Sequence, residues 1–248
     1  DYSRVGGILA ATEKCTGSGD CLKSDIIGGT MCPSYMATRD EKNSTRARAN
    51  ILREYLSEPK GSTGNNIEDV FEVFKLCLSC KACKSECPSS VDVAKLKAEF
   101  LQHYYDKNKL PLNTLLIAYL PKLNRILSFF PDLSNFILSN KLTSLFIKHL
   151  LNFSKEREIP KLGKTNVVKW LKSAKRQTEG NNGSVYLFND EFTNYQDSEI
   201  GIKSILLLNE LGYEVIIPKH FESGRTFLSK GLLRKAKKIA NKNTIALK

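Results

Sequence analysis

Four cysteines stand close together in the middle of the first half of the chain and could bind metal as thiolates: Cys77, Cys80, Cys83 and Cys87. Their spacing, C-x2-C-x2-C-x3-C followed by Pro88, is one that holds cubane iron–sulfur clusters. In this scheme the first three cysteines bind one cluster and the fourth reaches a second cluster. Zinc sites more commonly pair two C-x2-C knuckles across a longer loop, so the run favours iron. It predicts a protein that transfers electrons.

A second group of cysteines lies upstream, at Cys15, Cys21 and Cys32. Cys32 is followed by Pro33, which matches the remote fourth ligand of the bacterial ferredoxin scheme. We therefore predict a first 4Fe-4S cluster on Cys77, Cys80, Cys83 and Cys32. Cys87 would then join Cys15 and Cys21 at a second, incomplete site. Two alternatives stay open: Cys15 and Cys21 are free or structural, or the four cysteines of the run bind one cluster by themselves.

The composition of the 248-residue chain is that of an ordinary globular protein, with 41% apolar and 26% charged residues. Seven cysteines, an odd number, argue against a closed set of disulfides. No secretory signal opens the sequence, and the longest uncharged stretch, residues 110–121, is too short to cross a bilayer. We expect a cytoplasmic protein, with the inner face of the membrane as the alternative location.

The net charge of +12 predicts a basic surface that attracts anionic partners. The lysines are interleaved with acidic residues along the chain, and no nucleic-acid-binding motif is present, so we expect no nucleic-acid partner. No set of residues with catalytic spacing stands out either. The chemistry of this sequence is concentrated in its cysteines.

Helices are predicted on both sides of the cysteine run. One helix, capped by Asn43 or Ser44, follows the first cysteine group and ends before Pro59. A second starts near Ile67 and leads into the run, and a third follows with Ser90 as its cap. Residues 111–182 indicate short helices separated by prolines, which we interpret as core helices rather than a membrane or partner surface, and residues 176–183 indicate a linker.

Residues 184–248 have a different pattern. Strands are predicted at 185–188 and 213–217, with a helix at 200–211 between them and a basic helix at 226–241 after them. This order predicts a parallel sheet, and two strands are too few to complete one. We therefore predict a mainly α protein with an α-helical ferredoxin domain at 1–110, a helical connector at 111–182 and a partial α/β domain of parallel βαβα type at 183–248.

Three segments around the cysteines carry a family resemblance: KCTGSGDC at 14–21, GGTMCPSYMATRD at 28–40 and STRARAN at 44–50. Together with the ferredoxin run they resemble the iron–sulfur portion of FAD-linked oxidases. This family comprises D-2-hydroxyacid dehydrogenases of the D-lactate, glycolate and D-2-hydroxyglutarate type. The resemblance covers most of residues 1–110 and, more weakly, 184–240, where Phe221–Arg225 replaces the Cys-Cys-Gly motif of related subunits.

The resemblance implies a function that this chain cannot perform by itself. A hydroxyacid would reduce FAD on a missing domain or partner flavoprotein, and the iron–sulfur module would pass single electrons to a quinone or a carrier protein. Peripheral membrane association would follow from a quinone acceptor. The alternatives are a zinc-stabilised basic binding module, and a free-standing electron carrier or a subunit of a heterodisulfide-reductase-like complex.

Overall fold

The computed structural model describes residues 2–57, 66–174 and 180–248 and divides the chain into two compact units. The first unit comprises residues up to Lys109 together with Gly231–Leu233, and the second comprises Leu110–Lys230 and Arg234–Lys248. The described part is mainly helical, which confirms the predicted fold class. The predicted end of the first helix at Pro59 and half of the predicted linker at 176–183 lie outside the described residues.

In the described part of the first unit, all regular secondary structure is helical. Its α-helices are α1 (Ile8–Thr12), α2 (Pro33–Thr38), α3 (Thr45–Ser57), α4 (Ile67–Lys75), α5 (Ala82–Glu86) and α6 (Val93–Lys107). Short 3-10 turns cover Ser3–Val5, Asp20–Leu22 and Glu41–Asn43. The cysteine run therefore occupies the loop after α4, the short helix α5 and the residue that follows α5.

Local capping fixes where the long helices of this unit begin. The Ser44 hydroxyl accepts a hydrogen bond from the Ala47 backbone N–H (3.1 Å), so Ser44 is the cap of α3. Asn66 and Asp69 form a reciprocal capping box at the start of α4. The prediction of Ser90 as the cap of α6 is wrong: Asp92 accepts from the Lys95 N–H (3.0 Å).

The core of the first unit joins α3, α4 and α6. Leu52, Val70 and Leu96 are fully buried, and the rings of Phe74 and Phe100 stack with centroids 5.5 Å apart. Three of the cysteines, Cys21, Cys32 and Cys83, belong to this same core cluster. Three of the seven cysteines are thus part of the hydrophobic core, and Cys15, Cys77 and Cys87 pack against it.

The second unit begins with helices and ends with a small α/β layer. Its elements are α7 (Leu112–Ala118), α8 (Leu120–Leu127), α9 (Pro131–Ser139), α10 (Lys141–Leu150), α11 (Val167–Ser173), β1 (Ser184–Tyr186), α12 (Glu191–Tyr195), α13 (Ser198–Glu210), β2 (Glu214–Ile216), α14 (Arg225–Ser229) and α15 (Leu233–Ala246). Strands β1 and β2 pair in parallel, with Val185 opposite Val215. Val167, Ile205 and Val215 form the buried centre of this layer.

Two predictions for the second unit need correction. The basic helix predicted at 226–241 is two helices, α14 and α15, because Gly231 between them has a positive φ of 74°. The helices of 111–182 are only partly core helices, since large apolar side chains on α9, α10 and the preceding turn stay exposed: Phe129, Phe130, Phe136, Leu142 and Phe146. No described helix has the length and apolar character that crossing a bilayer requires.

The glycine at position 231 predicts a large stability effect. A Cβ placed there would lie 2.2 Å from Leu101 Cβ, and its φ of +74° disfavours any L side chain. We expect Gly231→Ala to lower the free energy of unfolding by at least about 2 kcal/mol, measured by urea denaturation. Gly28→Ala, with φ +82° and no atom within 4 Å of the added Cβ, is the control for backbone strain alone. Equal losses in both variants would contradict the steric explanation.

Candidate metal centre

Four cysteines from both halves of the first unit line one cavity: Cys32, Cys77, Cys80 and Cys83. They are the four residues that the sequence predicts for the first cluster. Cys83 and Cys32 are buried, Cys77 is half-buried and Cys80 is exposed. The side chains therefore surround a space that is closed on the core side and reaches solvent at Cys80.

The loop that carries Cys80 has an unusual backbone. Ser79 and Lys81, on either side of it, both adopt left-handed φ values of 57° and 66°. Alternation of left-handed and other conformations produces concave backbone nests that bind anionic groups, iron–sulfur clusters among them. Cys32 is left-handed as well, with φ 63°, at the start of α2. Such strain at non-glycine residues is typical of functional sites.

The N-terminus of α6 points at this cavity. Val93 and Ala94 line it, and their backbone N–H groups donate to the Cys83 sulfur. Burial raises the pKa of the Cys83 thiol, and these two hydrogen bonds partly oppose that rise. The first turn of a helix carries a partial positive charge, so this arrangement favours an anion at the cavity.

Arg48 supplies a full positive charge at the same cavity. It is 2% exposed, and its Nε donates to the Val73 carbonyl (3.0 Å). Its Nη1 donates to the Ser34 hydroxyl (2.9 Å) and lies 3.6 Å from Cys32 Sγ. Its Nη2 is buried and has no hydrogen-bond partner among the described residues. A buried cation with an unused donor beside four cysteines fits an anionic iron–sulfur cluster.

The other three cysteines, Cys15, Cys21 and Cys87, line a second cavity. Thr45 and Arg46, at the N-terminus of α3, also line it, and the Arg46 N–H donates to the Cys21 sulfur. Burial is the main cause that raises the pKa of the Cys21 thiol. The described lining holds three thiolates and no fourth Cys, His, Asp or Glu. This is the grouping expected for the second, incomplete site.

The cysteines surround spaces and do not meet at a point. Among the described residues, no three Cys, His, Asp or Glu side chains converge closely enough to hold a single metal ion. In a cubane each thiolate binds its own iron atom, and the sulfur atoms stand around a larger inorganic core. Ligation of such a core by the individual cysteines stays a prediction.

Glu86 is a site residue that sequence reasoning missed. Its carboxylate accepts hydrogen bonds from the Thr30 and Met31 backbone N–H groups (2.9–3.0 Å) and from the Thr30 hydroxyl. These bonds connect the cysteine run to the segment immediately before Cys32, and they hold the pKa of Glu86 below its usual range. Gly29 permits the approach, because a Cβ there would lie 2.8 Å from Glu86 Oε2.

We expect Glu86→Gln to loosen the connection between the two cysteine groups. An amide with its oxygen in the place of Oε2 still accepts from both backbone N–H groups, but these bonds lose the negative charge that strengthens them. The Thr30 hydroxyl also loses the acceptor oxygen that it uses in the carboxylate. Iron bound through Cys32 should be lost to a chelator several times faster than from the unchanged chain. Glu72→Gln, which removes an exposed carboxylate paired with Lys75 on α4, is the matched control. Equal rates of iron loss in both variants would exclude the proposed role of Glu86.

Comparison with known proteins agrees with this geometry. Residues 14–92 match the model of the 4Fe-4S dicluster domain, and this range contains all seven cysteines. Binding of an iron–sulfur cluster is therefore supported both by the cavities and by the family match. No solved structure matches the chain significantly.

The relatives are long enzymes of which this chain corresponds to one part. It is 25% identical to the D-2-hydroxyglutarate dehydrogenase of Pseudomonas putida over 94% of this chain and 27% of that protein. The proteins of the same name from Escherichia coli and Pantoea ananatis are 23% and 24% identical over 92% of this chain and 26% of their own lengths. The chain thus spans about a quarter of these relatives. The similarity is to the carboxyl-terminal part of these dehydrogenases, and within it residues 14–92 resemble a 4Fe-4S dicluster domain.

Proposed function

We propose that this chain is the iron–sulfur electron-transfer module of a flavin-dependent 2-hydroxyacid dehydrogenase. The observation that carries the proposal is the sorting of the seven cysteines into two cavities, each beside the N-terminus of a long helix. The oxidoreductase relatives that align along more than nine-tenths of the chain support the same assignment. The hydroxyacid is the class to which the D-2-hydroxyglutarate in the relatives' name belongs.

Each part of the first site has a separate role in this proposal. Cys32, Cys77, Cys80 and Cys83 hold the cluster, which when bound accepts and releases one electron at a time. Arg48 and the N-terminus of α6 offset its negative charge, and burial of Cys32 and Cys83 keeps water away from that side. Cys15, Cys21 and Cys87 hold a second group with three thiolates.

Electrons would enter from FAD, on a domain outside this chain or on a partner flavoprotein. We place the exit towards a quinone or a carrier protein at Cys80, because this cysteine is exposed. Lys81 and Lys84 line the adjoining surface and would attract an acidic carrier. Peripheral membrane association is part of the proposal only if the acceptor is a quinone.

The decisive experiment is to reconstitute the full chain with iron and sulfide under anaerobic conditions and to measure both elements together with zinc. We expect about four iron and four sulfide ions per filled cubane site. Reduction by dithionite should produce an EPR signal that disappears when a soluble quinone analogue is added. Material that stays free of iron and instead binds zinc would overturn the proposal in favour of a zinc-stabilised binding module.

A further inference from the structure

The second unit contains a large cavity that the electron-transfer function does not use. Its volume is about 1010 Å³, at the upper end of the range for small-molecule sites. It lies where the two parallel strands end: Asn189 follows β1 and Lys219 follows β2, and both line it. In α/β sheets, ligands bind in the crevice outside the carboxyl ends of the strands.

Cations from four parts of the second unit surround this cavity. The described lining includes seven lysine and arginine side chains, among them Lys122 and Arg125 of α8, Lys172 of α11, Lys219, and Lys238 and Lys242 of α15. In the described part of the chain, none of these six forms an ion pair within 4.0 Å. Because these residues come from separate elements, the tertiary fold brings their positive charges together.

The described lining has only two acidic residues, Glu191 and Glu222, against its seven lysine and arginine side chains. Both carboxylate oxygens of Glu191 are engaged by Ser223, through its backbone N–H (2.9 Å) and its hydroxyl (2.7 Å). Burial raises the pKa of Glu222, although Lys122 and Arg125 act in the opposite direction. A surface that received another strand or helix of the same fold would be apolar, so the charges point to a ligand and not to missing core.

We propose that this cavity binds a small organic molecule carrying two or more phosphate or carboxylate groups. Multiple charges are required because the cations stand on several sides of the space, and a singly charged anion could contact only one side. Tyr119, Tyr195 and Phe227 also line the cavity and provide apolar surface for the body of such a molecule. The proposal concerns the second unit alone and does not depend on the iron–sulfur sites.

Isothermal titration calorimetry on the full chain tests the proposal with pyrophosphate and citrate as probes, in buffer of constant ionic strength. We expect saturable binding of at least one probe with a Kd below about 100 µM. Stronger binding of pyrophosphate would assign a phosphorylated ligand, and stronger binding of citrate a polycarboxylate. Absence of saturable binding for both probes would overturn the proposal.

A matched pair of double variants tests the location. Arg125→Gln with Lys238→Gln removes two cations from the cavity and should weaken binding at least about tenfold. Lys203→Gln with Lys237→Gln removes the same charge from exposed positions on α13 and α15 that do not line the cavity, and should change the Kd less than about twofold. Equal weakening in both would show attraction by net charge and refute the site. The cavity variant could melt at a lower temperature than the unchanged chain. In that case the Kd of the single exposed variant Lys242→Gln is compared with that of Lys237→Gln in the same way.

Discussion

Cys80→Ser should remove the iron of the first site and destabilise the first unit. A serine hydroxyl is a far poorer ligand for iron than a thiolate, and metal binding is coupled to folding. A decrease of about 2 kcal/mol in the free energy of unfolding would lower the Tm by roughly 8–16 °C in a domain of this size. Iron analysis and thermal unfolding of the anaerobically reconstituted chain measure both effects. Cys80 is exposed, so the substitution leaves no cavity in the core that could explain the change in Tm.

Two further variants serve as controls for this prediction. Ser85→Ala changes a residue of the same segment, whose hydroxyl donates to the Ala82 carbonyl, and should keep its iron. Cys15→Ser should spare the first site and reduce only the iron or the EPR signal of the second. Retention of full iron and an unchanged Tm in Cys80→Ser would contradict the assignment of the ligands.

Arg48→Gln should lower the reduction potential of the first cluster by on the order of 100 mV. Removing a buried positive charge disfavours the more negative, reduced state, and charge pairs at an effective dielectric constant of 20 are worth about 2–4 kcal/mol. For a one-electron couple this free energy corresponds to a shift of that size. Potentiometric titration followed by EPR measures it, and the signal reports the cluster itself and not turnover of an assembled enzyme.

Arg53→Gln is the control for this prediction, because Arg53 lies on the same helix, α3, and lines neither cavity. Arg48→Lys keeps the charge but not the hydrogen bonds to both Val73 and Ser34. It should therefore recover most of the potential while the protein remains less stable. A potential that is the same in Arg48→Gln and in the unchanged chain would show that Arg48 serves only the folding of the core.

The cysteine pattern predicts a specific ligand set, because thiolate spacing follows from the geometry of the cluster, and ligation itself stays a prediction. The division into Cys32 with the run and Cys87 with the upstream pair appears again in the two cavities. The parallel pairing of β1 and β2 was also predictable, from two short apolar segments with a helix between them. Local sequence patterns were sufficient to predict those features that depend on residues close together in the sequence.

Other features depend on tertiary contacts and could not be predicted. Arg46, Arg48 and Arg53 are indistinguishable in sequence, yet only Arg48 is buried beside Cys32, whereas Arg46 pairs with Glu41. The role of Glu86 depends on a loop 55 residues away. Gly231 separates α14 from α15 at a point where Leu101 leaves no room for a side chain, and nothing close to it in sequence indicates that contact.

The exposure of Cys80 has a consequence for how the protein must be handled. It is the only exposed cysteine of the seven, so a cluster at the first site would be most accessible to water at this corner, whereas Cys77 is half-buried and Cys32 and Cys83 are buried. Dioxygen, peroxide and alkylating reagents would all reach the protein at that corner first. Air damage should therefore begin with the iron atom at Cys80, and a maleimide added to the metal-free chain should label this position before any other.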